Sequence, residues 1–197
     1  GLWRSETFYD LLAGKAARSP AAIALKDGRV DLTWSDLKGW VDVAAAAFAG
    51  LGLVAGDRVS IWMSNRAEAI VTFLACSRLG LACNPSLHRT YTCEETVALL
   101  KRLDAKALIT EPGWGADRAT CDFDSLLGGA PSLKAVYEPA NFPGPAAAPA
   151  TPLVSDPDAV AYLAFTSGTT GAPKCVMHSA NTLLANARDL ARDWSLD

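Results

Sequence analysis

The sequence predicts an α/β fold built on a largely parallel sheet, and three observations carry that prediction. Apolar runs of strand length alternate with amphipathic runs of helix length from Asp57 onward. The links between them are short, as in βαβ units. Half of the 197 residues are hydrophobic, which is enough for one sizeable core.

The elements follow in order. "SETFYDLLAGKAARSP" places apolar residues at helical spacing, with Ser5 as the candidate N-cap and Pro20 as the stop. "AIALKDGRVDLTW" alternates around Asp27 and Gly28, which signals a hairpin. Ser35 can cap a second helix, "SDLKGWVDVAAAAFAGLG", ending at Gly52. "DRVSIWM" reads as a strand, "RAEAIVTFLACSRLG" as a helix closed by glycine, and "LACNP" as another short strand. Thr92 and Glu95 form a T-x-x-E capping box for "CEETVALLKRLD", and "KALIT" is the buried strand that follows. "CDFDSLL" allows a helical turn or two, and "SLKAVYE" is one more strand. "PANFPGPAAAPATPLVSDPD" is an extended surface loop by its proline content. It does not divide two domains, because the strand "AVAYLAF" after it reads as a member of the same sheet. "SANTLLANARDLARDW" closes the chain as an amphipathic helix.

Composition excludes several functions. Eighteen Lys and Arg against 21 Asp and Glu leave a net charge of −3, without the basic stripe of a nucleic-acid binder. The longest apolar run, "VAAAAFAGLGLVAG" between Asp42 and Asp57, falls short of the roughly 20 residues of a membrane span. The start lacks a signal core and an initiator Met, so Gly1 reads as a trimmed end. Five cysteines (76, 83, 93, 121 and 175) show neither a C-x-x-C pair nor metal-ligand spacing. They read as reduced thiols, several of them buried, in a cytoplasmic protein. Cys76 and Cys83 lie on apolar elements and read as core thiols.

The chemistry concentrates in "TSGTTGAPKCVMH", Thr166 to His178. Gly168 and Gly171 let the backbone turn sharply and approach a ligand closely. Successive N–H groups in such a turn form an anion site, to which Thr166, Ser167, Thr169 and Thr170 add hydroxyls and Lys174 a charge. That set suits a polyphosphate. A Walker A loop needs G-x-x-x-x-G-K-[ST] leading into a helix. Here the glycines are three apart, and Cys175 stands where Ser or Thr should be. Pro173 also disfavours helical geometry at Ala172. A strand is therefore expected after the loop.

"YLAFTSGTTGAPKCVMHS" resembles the signature loop of the adenylate-forming (AMP-binding) superfamily, which includes acyl-CoA synthetases, aryl-acid ligases, luciferases and peptide-synthetase adenylation domains. That pattern is close to T-S-G-T-T-G-x-P-K-G-V, and the chain departs from it only at Cys175, where the family has glycine. "LTWSDL", "GLGLVAGDRVSIWMSN", "LGLACNP" and "DAKALIT" follow the family's order more loosely. The resemblance implies part of the large N-terminal domain of such an enzyme, with mixed, largely parallel sheets, flanking helices and an N-terminal hairpin. It implies an acid–CoA ligase that uses ATP, Mg2+ and coenzyme A to convert a carboxylic acid to an acyl-adenylate and then a thioester. By the same resemblance Thr166, Ser167, Gly168, Thr169, Thr170, Gly171 and Lys174 embrace the β- and γ-phosphates, with Lys174 in the catalytic role. The adenine and ribose segments, the Y-G-x-T-E stretch and the C-terminal domain with its lysine would lie beyond Asp197. Residues 1–197 are thus expected to be an incomplete N-terminal domain, inactive alone and prone to self-association through apolar surface.

Two other readings remain at this level: a non-catalytic nucleotide-binding or scaffold module that keeps the fold, and a ligase using a carrier-protein thiol. His178 either approaches the phosphates or packs at a strand end. His88 and Arg89 either line a substrate or CoA entrance or form a polar loop. Asn65 and Arg66 fit an ordinary helix start, and the six tryptophans read mostly as packing residues.

Overall fold

A computed structural model describes residues 2–145, 149, 151–166 and 173–195. The chain opens with α1 (Phe8–Arg18), the hairpin strands β1 (Ile23–Lys26) and β2 (Asp31–Thr33), and α2 (Trp34–Gly50). Next come β3 (Arg58–Trp62), α3 (Ala67–Leu79), β4 (Ala82–Asn84), α4 (Cys93–Leu103) and β5 (Ala105–Thr110). The short α5 (Phe123–Leu127) and β6 (Ala135–Tyr137) follow, and then β7 (Val160–Thr166), β8 (Lys174–Ser179) and α6 (Ala180–Asp193). Among the described residues β3 to β8 form one six-stranded sheet in the order β6-β5-β3-β4-β7-β8, and β1–β2 stand apart as a hairpin. All pairings within the six are parallel except β7–β8. The α/β reading holds, with its largely parallel sheet and N-terminal hairpin.

Strand alternation builds two cores. Val59 and Ile61 of β3, Cys83 of β4, and Ala107 and Ile109 of β5 pack with α1, α2 and α3 on one face. Trp62, Leu108 and Phe165 turn to the other face, where α4 and α5 supply Val97, Leu100 and Phe123. Consecutive crossovers therefore run on opposite faces, with α3 joining β3 to β4 and α4 joining β4 to β5. The crossovers leaving β3 and β4 part to opposite faces at the carboxyl ends of those strands, the usual ligand position in such sheets.

Two predicted caps move by two residues, for one reason. A capping box needs an acidic or amide side chain three places beyond the cap. Ser5 and Ser35 have Phe8 and Lys38 there, whereas Thr7 and Thr33 have Asp10 and Asp36 and form complete boxes. The Thr92–Glu95 box of α4 stands as predicted. The second helix stops at Gly50 rather than Gly52, which takes a positive φ of 70° in the turn beyond it. The hairpin turn is organised by Asp27, whose Oδ1 accepts from the N–H groups of Arg29 (2.8 Å) and Val30 (2.9 Å). Its Oδ2 accepts from Ala67 N–H at 3.0 Å, the first residue of α3. Arg66, the N-cap residue, makes no side-chain cap bond of its own. The hairpin thus caps a helix 40 residues away. Burial works against the Asp27 charge, but the three N–H donors and Arg29 outweigh it and hold its pKa at about 2.

One cysteine reading is overturned. Cys93 and Cys121, expected as free thiols, are joined in a disulfide. Cys93 opens α4, and Asp117 accepts its N–H at 2.8 Å, drawing the 111–122 loop against the helix start. The partners are 28 residues apart, a spacing that carries no signal by itself. Cys76 and Cys83 are free and fully buried, as expected, and burial pushes the Cys76 thiol well up. Apart from Phe142, which is buried, the described residues of the proline-rich loop lie at the surface, and Arg78 holds the loop at Thr151, its Nε donating to Thr151 Oγ1 at 2.9 Å.

Candidate functional site

The site begins where β7 and β8 diverge. Their antiparallel register ends in the pair Thr166↔Lys174, after Phe165↔Cys175 and Ala164↔Val176. Pro173 leads into a strand, as the sequence predicts. Ser167, Gly168, Thr169, Thr170 and Gly171 lie outside the described residues. Thr166 and Lys174 therefore stand opposite each other at the loop end of the hairpin, both exposed, with Thr166 Oγ1 at 3.5 Å from the Lys174 carbonyl oxygen. No carboxylate of the described residues lies within ion-pair distance of Lys174.

Cys175, the departure from the signature, sits in ordinary extended structure. It pairs with Phe165, and it is not among the described residues with positive φ. Its side chain packs on the α4 side of the sheet. Burial pushes its thiol up, opposed by the charge of Arg102. Neither strain nor a left-handed backbone accompanies the substitution of cysteine for glycine.

Below the hairpin, polar groups gather at the carboxyl ends of the parallel strands. Ser86 Oγ accepts the N–H of Phe165 at 2.9 Å and donates to Asn84 Oδ1 at 2.7 Å. Pro85, between them, has no N–H to extend the ladder. The register of β4 with β7 is the single pair Cys83↔Tyr162, so Ser86 replaces a backbone partner that the strand can no longer supply. Asn84 Nδ2 and, across β3, Ser60 Oγ are buried without a partner among the described residues. Nearby, Arg66 pairs with Glu68 (2.9 Å) and Glu111 (3.5 Å), and Glu111 accepts Ser64 N–H at 2.9 Å. Burial works to raise the Glu111 pKa, but the Ser64 bonds and the charges of Arg66 and Arg29 hold it below the ordinary value.

The remaining candidates scatter. His178 lies four residues along β8 from Lys174, about 13 Å at strand rise, edge-on to the Tyr162 ring at 6.2 Å. It belongs to the strand's far end. His88 is exposed beside Tyr91, with ring centroids 6.0 Å apart, and its carbonyl accepts Trp62 Nε1 at 3.1 Å. Arg89 lies over the Trp114 ring at 5.4 Å. Trp40 and Trp62 are buried packing residues, whereas Trp3 and Trp194 are exposed. Arg66 is more than a helix start, because it pairs with two carboxylates, Glu68 and Glu111. The sequence reading passed over Ser86, Glu111 and Arg102. The one available signal was Asn-Pro-Ser directly after an apolar strand, a polar stop where a core strand would run on.

The sequence profile of the family described as AMP-binding enzyme matches residues 12–197. The acetyl-coenzyme A synthetase of Mycobacterium tuberculosis (strain ATCC 25618 / H37Rv) is 32% identical over 179 residues, covering 79% of this chain and 27% of that protein. A 4-chlorobenzoate–CoA ligase from Arthrobacter sp is 32% identical over 178 residues, covering 87% of this chain and 33% of that one. The inhibitor-bound N-terminal domain of FACL13 from Mycobacterium tuberculosis superposes with a TM-score of 0.76 at 23% identity, over 89% of this chain and 44% of that structure. The chain thus spans about a third or less of the curated relatives it matches.

Proposed function

The chain belongs to the AMP-binding enzyme family, and from that premise we propose that its full-length protein is an ATP-dependent, AMP-forming acid–CoA ligase. One observation carries the reading within the fold. Lys174, a cation without a carboxylate partner among the described residues, faces Thr166 across the loop end of a hairpin with the family's signature. Residues 1–197 would form part of the nucleotide-binding domain, and the activity belongs to the protein in full.

In the first half-reaction an oxygen of the substrate carboxylate bonds to the α-phosphorus of ATP. The bond from that phosphorus to the bridging oxygen breaks, and the electron pair leaves with pyrophosphate. In the second, the sulfur of CoA bonds to the acyl carbon, AMP departs with the electron pair of the broken C–O bond, and the thiol proton passes to solvent. Charge collects on pyrophosphate as it leaves, so preorganised donors and a cation lower the barrier most at that point. Thr166, Ser167, Gly168, Thr169, Thr170, Gly171 and Lys174 hold the β- and γ-phosphates in this proposal. Lys174 contributes charge, not proton transfer, because the substrate carboxylate is already ionised. Magnesium bound to the nucleotide would share in neutralising the phosphates. The two named relatives carry acetyl and chlorobenzoate substrates in their names and match this chain equally well, at 32% identity. That supports assigning these residues to the shared ATP step and leaves the acid to be found by assay.

The test is acid-dependent exchange of labelled pyrophosphate into ATP by the full-length protein, over short, medium, branched and aromatic acids with magnesium present. Exchange with at least one acid is expected. Silence across the panel would remove the ligase reading.

A further inference from the structure

Both strand ends that flank the signature loop are held from outside the hairpin. On the β7 leg, Phe165 donates its N–H to Ser86 Oγ at 2.9 Å, and Ser86 is fixed in turn by Asn84 at 2.7 Å. On the β8 leg, the guanidinium of Arg102 donates to the carbonyl of Pro173. The same guanidinium lies 5.8 Å from the centre of the Phe165 ring, a cation–π distance, and it acts on the Cys175 thiol. Arg102 is in the last turn of α4, so one exposed side chain touches both legs within one residue of Thr166 and Lys174.

We propose that Arg102 and Ser86 are positioning residues for the phosphate-binding hairpin, fixing the two strand ends from which Thr166 and Lys174 project. This rests on the reading of the hairpin as a polyphosphate grip. The geometry favours positioning over general stability. An exposed arginine at a helix end gains little from the macrodipole, and Arg102 forms no ion pair among the described residues. Its described contacts go instead to residues that adjoin the signature loop. Ser86 lies where the β4 ladder stops, so on its β4 side the last residue before Thr166 is held by one hydroxyl, while its other side pairs with Cys175.

The experiment compares Arg102→Ala, Arg102→Lys and the neighbouring surface control Lys101→Ala in the full-length protein. Pyrophosphate exchange is measured with ATP and acid varied separately, alongside the melting temperature and hydrogen exchange of peptides spanning 163–166 and 173–177. Arg102→Ala should lower kcat/KM for ATP about tenfold, less than the roughly hundredfold that a 1 Å misplacement of a catalytic group can cost. The KM for acid and the melting temperature should stay near the parent's. Amide exchange in the two peptides should rise several-fold while peptides of β3 hold steady. Arg102→Lys, which keeps a donor and a charge, should recover most of the loss, and Lys101→Ala should match the parent. Unchanged peptide exchange in Arg102→Ala, or a loss of ATP and acid parameters together with stability, overturns the positioning role. Should the parent itself show no exchange with any acid, the ligase reading falls, and the peptide measurement still decides the bracing.

Discussion

Cys175→Gly restores the family's residue, and the structure fixes what it should do. Position 175 is extended, paired with Phe165, and its side chain packs on the α4 core layer beside Arg102. Glycine there removes a half-buried CH2–SH group, worth about 1 kcal/mol by area. It also adds backbone freedom to the unfolded chain, worth another 0.5–1 kcal/mol or so. The full-length protein should therefore lose about 1–2 kcal/mol of stability, visible as a fall of a few degrees in melting temperature. Its adenylation rate should stay within about twofold of the parent's, because no strained φ is relieved and no backbone donor is unmasked. Stopped-flow or exchange kinetics at saturating ATP, beside calorimetric melting, give both numbers. A rise of about tenfold in rate, equivalent to roughly 1.4 kcal/mol, would refute the reasoning. It would mean that the working hairpin frays past residue 175 and that the thiol crowds the phosphates. A tenfold fall would show that the sulfur touches substrate.

Three further outcomes follow. Lys174→Ala should slow adenylation by about 10²–10³-fold, roughly 2.7–4 kcal/mol, with the KM for acid unchanged, as transient kinetics can show. Asp27→Ala should destabilise the protein by about 2 kcal/mol in urea unfolding, from one lost helix cap and the lost turn bonds. Because the folded Asp27 pKa lies at about 2, below its unfolded value, its stabilisation is present at neutral pH and lost as pH falls through about 2; Asp27→Asn should flatten that acid limb. Reducing Cys93–Cys121, which closes a loop of 28 residues, should cost about 3–4 kcal/mol of chain entropy in thermal unfolding, and a Cys93→Ser/Cys121→Ser double variant should melt identically with and without reductant.

What the sequence made legible was local. The Thr92–Glu95 box, the glycine stop of α3 at Gly80 and the strand after Pro173 each follow from a few adjacent residues, and each stands. The choice of Ser35 over Thr33 fails at the third residue beyond each, since Asp36 can close a capping box and Lys38 cannot. What stayed hidden is tertiary. Asp27 caps α3 from 40 residues away, and Cys121 reaches Cys93 across the 111–122 loop. Ser86 meets Phe165 at a separation of 79 residues, and Arg102 meets Pro173 at 71. No periodicity or spacing encodes such meetings; they exist only once the sheet order has placed β4 and α4 beside β7 and β8. The signature motif is legible in adjacent residues, whereas the contacts at Phe165 and Pro173 required the fold.

On the proposed reading, those supports explain how an anion grip would do without a helix N-terminus. A Walker-type site draws its field from the orphan N–H groups of a helix, whose direction the helix itself fixes. In the proposed site the charge is that of Lys174, exposed at the last described rung of an antiparallel ladder. The hairpin is well paired within itself, from Val160↔Ser179 to Thr166↔Lys174, but joined to the parallel sheet by one pair, Cys83↔Tyr162. Left so, Thr166 and Lys174 would keep their distance from each other while drifting together relative to β3 and β4. Ser86 on one leg and Arg102 on the other remove that shared freedom, one through a buried hydroxyl and one through a surface cation. On the proposed reading, the placement of Thr166 and Lys174 therefore depends on side chains of β4's exit and α4's last turn.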